Sequence, residues 1–241
     1  MMDSQLSGMP VLHLGLNDKL ALHQLSNESG DTPSQSTHHA IDLEDIHFHQ
    51  CVRLSKFDTN RTISFIPPDR RFELMNYRIG KLQKSLISVT SQIYEYENSR
   101  IEMILHLTTN FNQKIMTKSL SVLVPVPEDA DTPVFNQTIG FCVYQPEVNC
   151  ILWNLGPVNG KRTVAMTAQM GLPTMSGGTS SRHGMPLQVN FEIPRFTLSG
   201  IHVNHLTIND TSGYNGIPFI NYRAHAGEYI IRQNPPKRIR H

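Results

Sequence analysis

The stretch Leu187-Gln188-Val189-Asn190-Phe191-Glu192-Ile193 decides the fold class, because apolar and polar residues alternate strictly along it. Successive side chains of a β-strand point to opposite faces, so this alternation places every apolar residue of the stretch on one face. Less regular versions of the pattern recur at 101–107 and 62–65, and no stretch has the periodicity of a long amphipathic helix. Clusters of Pro, Gly, Asn and Asp separate the short strands. The sequence therefore predicts an all-β fold of antiparallel sandwiches.

The composition excludes several classes of protein. Lys plus Arg (21) nearly cancels Asp plus Glu (20) over 241 residues, so no net field directs the chain to nucleic acid or to an acidic bilayer. Three cysteines, Cys51, Cys142 and Cys150, are too few for a disulfide framework and predict a reducing compartment. Neither a signal peptide nor an apolar run long enough to cross a bilayer is found. These features predict a cytoplasmic protein with no nucleic-acid partner and a flexible basic tail at 236–241.

His47-Phe48-His49-Gln50-Cys51 is the best candidate for metal chemistry. On a strand, alternate residues would present two imidazoles and a thiol on one face. A structural zinc site needs a fourth ligand, and none follows at a recognisable spacing, so ordinary strand packing is the better interpretation. Nucleophile-elbow and dinucleotide-binding motifs are missing as well. We therefore predict a binding protein with no catalytic residues, metal or cofactor, and keep a metal-dependent protein centred on these residues as the alternative.

One long stretch resembles the medium (mu) chains of clathrin adaptor complexes. It reads Phe48-His49-Gln50-Cys51-Val52-Arg53-Leu54-Ser55-Lys56-Phe57 and is followed by further matching stretches at 61–69, 72–78, 124–133 and 191–201. The resemblance covers nearly the whole chain apart from the predicted loops at 26–37 and 175–184 and the last few residues. It is closest to the trans-Golgi and endosomal type. Segment 138–145 has no lysine where the plasma-membrane type carries a phosphoinositide-binding cluster, so a lipid contact there is not carried over.

The resemblance implies an elongated pair of antiparallel β-sandwich subdomains, the second inserted into the first. Residues 1–79 and 196–235 would form subdomain A, 80–195 the inserted subdomain B, and 236–241 the tail. The implied partners are cytosolic tails of membrane cargo, the large and small adaptor subunits and, indirectly, the clathrin coat, at the cytosolic face of trans-Golgi and endosomal membranes. The family's N-terminal longin-like domain is missing, so we expect either a fragment or a truncated relative.

In this family a cargo tail bearing Tyr-x-x-Φ, where Φ is a bulky apolar residue, binds as an added edge strand. Carried over by position, Val203 and Leu206 would line the pocket for Φ, and Phe219, Ile220 and Asn221 would flank the tyrosine. Without the resemblance, the apolar positions among them would be interpreted as core residues.

The sequence departs from the family around the tyrosine. Phe219 stands where Trp is usual, Asn221 where Arg is usual and Asp3 where Lys is usual, so the cation that could stack on the tyrosine ring is lost. Arg70 replaces the glycine that follows the Pro67-Pro68-Asp69 turn, which predicts strain if that position needs a positive φ. The alternative function is therefore a degenerate mu-like domain that no longer binds tyrosine signals and acts through other protein contacts.

Overall fold

The computed structural model describes residues 1–17, 43–55, 57, 62–79, 85–96, 100–128, 130–172, 185–209, 216–226 and 228–239. The loops predicted at 26–37 and 175–184 lie outside these residues. Within them the regular structure is nearly all β, with 57% of residues in strands and 3% in helix, and the predicted all-β fold class is confirmed. No helix in this part of the chain is both long and apolar enough to cross a membrane.

The strands are numbered in chain order. They are β1 Met2–Ser4, β2 Val11–Leu16, β3 Leu43–Phe48, β4 Ile63–Phe65, β5 Arg70–Phe72, β6 Met75–Ile79, β7 Ile87–Tyr96, β8 Arg100–Thr109, β9 Ser119–Pro125, β10 Val134–Gln137, β11 Phe141–Gln145, β12 Cys150–Asn154, β13 Thr163–Gly171, β14 Leu187–Pro194, β15 Val203–Asn209, β16 Arg223–His225, β17 Tyr229–Ile231 and β18 Lys237–Ile239. A short 3₁₀ turn at Pro146–Val148 joins β11 to β12.

The chain divides into two compact units. Unit 1 consists of Met1–Gln83 and Thr197–Tyr222. Its strands form an antiparallel sheet in the order β15-β2-β4 and two separate pairs, β1-β5 and β3-β6. A small group of buried apolar side chains forms its core: Leu12, Leu16, Val52, Phe57, Ile63, Phe65 and Leu74.

Unit 2 consists of Lys84–Phe196 and Arg223–His241. One sheet has the order β10-β13-β8-β7-β18, and the other has the order β11-β12-β9-β14-β16 with β17 also paired to β14. Side chains from both sheets join one buried apolar cluster, so the two sheets pack face to face as a sandwich. The stretch that predicted the fold class is β14, and its four apolar residues, Leu187, Val189, Phe191 and Ile193, are all buried.

The boundary between the units differs from the predicted one at its C-terminal side. Residues 223–235 were expected in subdomain A and 236–241 as a free tail, whereas all of them belong to unit 2. The reason is strand pairing: β16 and β17 both pair antiparallel with β14, and β18 pairs parallel with β7. The Tyr229 hydroxyl also donates to the main-chain oxygen of Ile87 at 2.6 Å. The chain therefore passes from unit 1 to unit 2, back to unit 1, and again to unit 2.

Arg70 has the positive φ that the sequence analysis named as a source of strain. Its φ is 72°, in the left-handed region that favours glycine. The residue begins β5 and lies opposite Ser4 of β1. The turn after Pro67-Pro68-Asp69 therefore does place a non-glycine residue at a positive φ.

Candidate functional site

β15 forms one edge of the unit 1 sheet. Among the described residues it pairs with a single strand, β2, in a register that sets Leu206 opposite Leu14 and Val203 opposite Leu16. The register shifts by a bulge between Val203 and His205. An edge strand leaves every second set of N–H and C=O groups without a strand partner. The outer side of β15 can therefore accept the main chain of an additional strand.

Val203 and Leu206 lie on the inner face of β15. Their partners across the sheet are leucines of β2, and both side chains are half-buried against the unit 1 core. They are thus neither fully buried core residues nor free surface residues. A half-buried pair of apolar side chains beside an open strand edge can contact an apolar side chain of an added strand.

The outer face of β15 is polar and includes His205. The imidazole of His205 lies over Gly15 of β2 so closely that a Cβ at residue 15 would be 2.1 Å from the ring carbon Cε1. A Cβ at residue 15 would therefore fit only if the His205 ring moved. At the start of the strand, the Asn204 side-chain amide donates to the main-chain oxygen of Leu16 at 3.0 Å, which fixes the bulge against β2.

The segment 216–222 carries the other three predicted residues. Phe219 is 86% exposed, and Ile220 and Asn221 are exposed as well. The segment has no strand pairing, and Tyr222 attaches its end to β15. The Val203 N–H donates to the Tyr222 hydroxyl at 3.0 Å, and the Tyr222 ring lies edge-on to the His202 imidazole at 5.2 Å between centroids.

Tyr222 joins the two segments that contain the five predicted residues, and sequence reasoning missed it. An aromatic residue that directly follows three predicted site residues was the available signal. The Tyr222 hydroxyl accepts a hydrogen bond from the Val203 N–H. Because Tyr222 directly follows residues 219–221, this bond holds them close in space to the start of β15. The structure therefore brings the two segments together but leaves the Phe219 ring unpacked.

The tyrosine side of the candidate site has no replacement for the lost cation at the predicted positions. Asp3 is exposed on β1, where it lies opposite Arg71 of β5. Asn221 is exposed and neutral. Phe219 remains as an aromatic face for a tyrosine ring, without a planar cation from residue 221 on the other side.

His47, His49 and Cys51 do not share one strand face, contrary to the premise of the metal hypothesis. β3 ends at Phe48, so His49 and Cys51 lie in the turn that follows the strand. The Cys51 N–H donates to His49 Nδ1 at 3.3 Å, and the His49 ring packs near Phe72. No group of three or more His, Cys, Asp or Glu side chains in the described ranges is placed to hold a metal ion.

Comparison with known proteins places this fold in a recognised class. The mu homology domain of Danio rerio Fcho1, solved with a bound Eps15 peptide, matches 96% of this chain and 81% of its own with a TM-score of 0.56. Only 10% of residues are identical, so this likeness concerns the fold alone. The fold is that of a mu homology domain.

The chain belongs to the adaptor complexes medium subunit family, whose profile matches residues 1–233. The Dictyostelium discoideum AP-1 complex subunit mu is 44% identical over 96% of this chain, and the Caenorhabditis elegans AP-1 complex subunit mu-1-I is 42% identical over 94%. The chain spans about half the length of these curated relatives, 53% and 52% respectively. The family consists of non-enzymatic trafficking proteins, so the predicted family and the prediction of a non-enzymatic protein are confirmed.

Proposed function

We propose that this chain is the cargo-recognition module of a clathrin-associated adaptor complex. It binds Tyr-x-x-Φ signals in the cytosolic tails of membrane proteins during vesicle-mediated transport. The single observation that carries the proposal is the open edge of β15, which sets half-buried Val203 and Leu206 beside an unpaired strand edge. The signal is received in an extended conformation, as a strand added to this edge.

Main-chain hydrogen bonds to β15 supply affinity for any extended peptide, and the apolar side chains supply selection. The Φ side chain packs on Val203 and Leu206 and completes their burial. The signal's tyrosine ring packs on Phe219, whose large exposed surface is removed from water at the same time.

The tyrosine hydroxyl is the weak point of the proposed complex. With Asn221 and Asp3 in place of the family's Arg and Lys, no cation from these positions accompanies the tyrosine. A polar group left unsatisfied on burial costs about 1–3 kcal/mol. Binding therefore depends on Φ, on the apolar ring of the tyrosine and on the main chain, and its affinity lies at the weak end of the range for such peptides.

The names of the relatives, which are subunits of AP-1 complexes, support a proposal for the cellular setting. The proposed partners are the large and small adaptor subunits, cargo tails and, indirectly, the clathrin coat. The proposed location is the cytosolic face of trans-Golgi and endosomal membranes, with peripheral membrane association through cargo and the other subunits.

The alternative is a mu-like domain that has lost tyrosine-signal binding and acts through other protein contacts. The exposed Phe219 and the neutral Asn221 favour it, because the Phe219 ring is left in solvent and residue 221 offers no charge to the tyrosine. The same peptide experiment separates the two functions.

The test is calorimetric titration of the chain with a Tyr-x-x-Φ peptide and with a matched Tyr→Ala peptide. We expect dissociation constants of about 10–100 µM, with binding lost in the Tyr→Ala peptide and in Leu206→Ser. Leu198→Ser, which removes an exposed apolar side chain of unit 1 outside β15, serves as the matched control and binds like the parent chain. A folded chain that binds neither peptide supports the degenerate domain instead. A Leu206→Ser variant that binds normally shows that the peptide does not bind at Val203 and Leu206.

A further inference from the structure

A second open strand edge lies in unit 2. β11 is the first strand of its sheet and, in the part of the chain that the structure describes, pairs only with β12. Its alternate residues divide between two faces: Cys142 and Tyr144 pack against the unit 2 core, whereas Phe141 and Val143 point outward. The outward residues are 55% and 44% exposed.

The apolar surface continues from this edge across the sheet. Val143 lies opposite Leu152 of β12, and Leu152 lies opposite Leu123 of β9. Directly opposed residues share a face, so these three side chains form one row across three strands. Leu152 and Leu123 are half-buried. We refer to Phe141, Val143, Leu152 and Leu123 as the β11 patch.

The stretch of chain that supplies the β11 patch carries charge of one sign. Residues 119–155, which supply all of β9 to β12, contain no Lys, Arg or His, although the whole chain has 21 Lys and Arg. They include the acidic residues Glu128, Asp129, Asp131 and Glu147. Two cations of this sheet, Lys118 before β9 and Arg223 on β16, contact the single carboxylate of Glu192 on β14 at 3.2 and 3.3 Å, and β14 is separated from β11 by β12 and β9.

We propose that the β11 edge and the β11 patch together bind an extended peptide segment of a partner protein. This segment has apolar side chains at alternating positions and Lys or Arg at its ends. Its main chain adds to β11, and its alternating apolar side chains pack beside Phe141 and Val143. Its basic ends are attracted to the acidic residues of 119–155, of which Glu147 lies in the turn that follows β11.

Charge decides between this occupant and two others. An anionic membrane surface would meet an apolar patch on a stretch, 119–155, that has carboxylates and no cation, so repulsion opposes it. A second copy of the chain, paired edge to edge through β11, would bring two acidic regions together. A basic peptide alone among the three gains both from the open edge and from the charge. This site lies within unit 2 and does not depend on the tyrosine-signal proposal.

The probe for this site is a fluorescein-labelled peptide, Lys-Val-Thr-Val-Thr-Phe-Thr-Lys, titrated with the full chain and followed by fluorescence anisotropy. A matched peptide carries Glu at both ends. The protein variants are Val143→Asp and, as control, Val134→Asp, which alters an exposed valine on β10, the edge strand of the other sheet. Circular dichroism establishes that both variants are folded, and Phe141→Ser replaces Val143→Asp if that variant is not.

We expect the Lys peptide to bind and the Glu peptide to bind at least about tenfold more weakly, a difference that shrinks as salt is raised. Val143→Asp, or its replacement Phe141→Ser, should weaken binding by about tenfold or more, whereas Val134→Asp should not. Equal binding of the two peptides overturns the proposal, as does a patch variant that binds normally or a folded parent chain that binds neither peptide. Two further results also overturn it. If the chain sediments with phosphatidylserine vesicles and Val143→Asp abolishes this, the patch binds a membrane. If light scattering shows a dimer that Val143→Asp dissociates, the patch binds a second copy of the chain.

Discussion

The two units of this chain contain very different amounts of packed interior. Among the described residues, unit 2 buries 26 apolar side chains in one cluster, whereas unit 1 buries seven. The longest strands of unit 2, β7 and β8, have 10 residues each. In unit 1, the strand that carries part of the candidate site, β15, has seven. Long strands with alternating burial give unit 2 two broad apolar faces that pack against each other. The shorter strands of unit 1 leave a half-buried edge, and that is where the peptide site is proposed.

The largest expected effect tests this difference in packing directly. Leu105 of β8 is fully buried in unit 2, so Leu105→Ala should lower the free energy of unfolding by about 2–5 kcal/mol. Leu206→Ala in unit 1 should cost less than about 2 kcal/mol, because that side chain is already half exposed. Urea unfolding followed by circular dichroism measures both, and the fluorescence of Trp153, the only tryptophan, reports on unit 2. Equal losses would mean that unit 1 is packed as tightly as unit 2.

A second pair of variants compares how well each unit tolerates an added methyl group. A Cβ at Gly140 in unit 2 would be 2.1 Å from the main-chain oxygen of Asn154, which belongs to the β12 strand paired with β11. A Cβ at Gly15 in unit 1 would meet only the His205 imidazole, which can turn into solvent. We expect Gly140→Ala to destabilise by about 2–3 kcal/mol and Gly15→Ala by about 1 kcal/mol or less.

Thermal unfolding measures these two effects, and one further substitution serves as control. Gly15→Ala combined with His205→Ala should recover most of the stability lost in Gly15→Ala alone, because the close contact is gone. If the double variant is no better than Gly15→Ala, the loss comes from the backbone at residue 15 and not from the ring of His205.

A smaller effect, of opposite sign, is expected at the strained turn of unit 1. Arg70 has a φ of 72°, so Arg70→Gly should remove the steric cost of the left-handed conformation and raise stability by about 0.5–1 kcal/mol after the added chain entropy is subtracted. Arg71→Gly, at the next position of β5, is the matched control and should only destabilise. A shift of the melting temperature measures both, and a fall for Arg70→Gly would show that the arginine side chain makes a stabilising contact.

The smallest expected effect concerns Cys142 on β11. Burial raises the pKa of its thiol from 9.0 to about 11. The folded chain therefore keeps this proton at pH values where the unfolded chain has lost it, so the contribution of Cys142 to stability is constant below pH 9 and decreases between pH 9 and about 11. Cys142→Ser should lack this part of the pH dependence. Identical stability-against-pH curves for the two chains would contradict the raised pKa.

The sequence predicted best those strands in which apolar and polar residues alternate within the strand itself. The strict apolar and polar alternation at 187–193 identified β14, because the burial of one face of a strand can be predicted from that strand's own sequence. The three-residue strands β16, β17 and β18 could not be assigned in this way, since pairing with β14 and β7, far away in sequence, determines them. For the same reason the expected unit boundary at 235 and the free tail differ from the structure.

The residues of the candidate site likewise divide into features that the sequence could predict and features that depend on distant parts of the chain. Resemblance placed Val203 and Leu206 on one strand, and the structure adds that this strand is an edge. The attachment of 219–221 through Tyr222 could not be predicted, because it depends on one hydrogen bond across 19 positions of the chain. The metal hypothesis for His47, His49 and Cys51 assumed a strand that continues past Phe48, and the turn there removes the shared face.

The path of the chain between the units has a consequence for how the protein is made on the ribosome. β14 is synthesised before β15, but two of its partners, β16 and β17, follow β15. The edge of β14 that pairs with β16 and β17 therefore stays unpaired at least until β15, the strand that carries the proposed peptide site, has emerged from the ribosome. Completion of unit 2 is thus a late step in biosynthesis, and a nascent chain stalled between β15 and β16 would present the β14 edge to chaperones or to other chains.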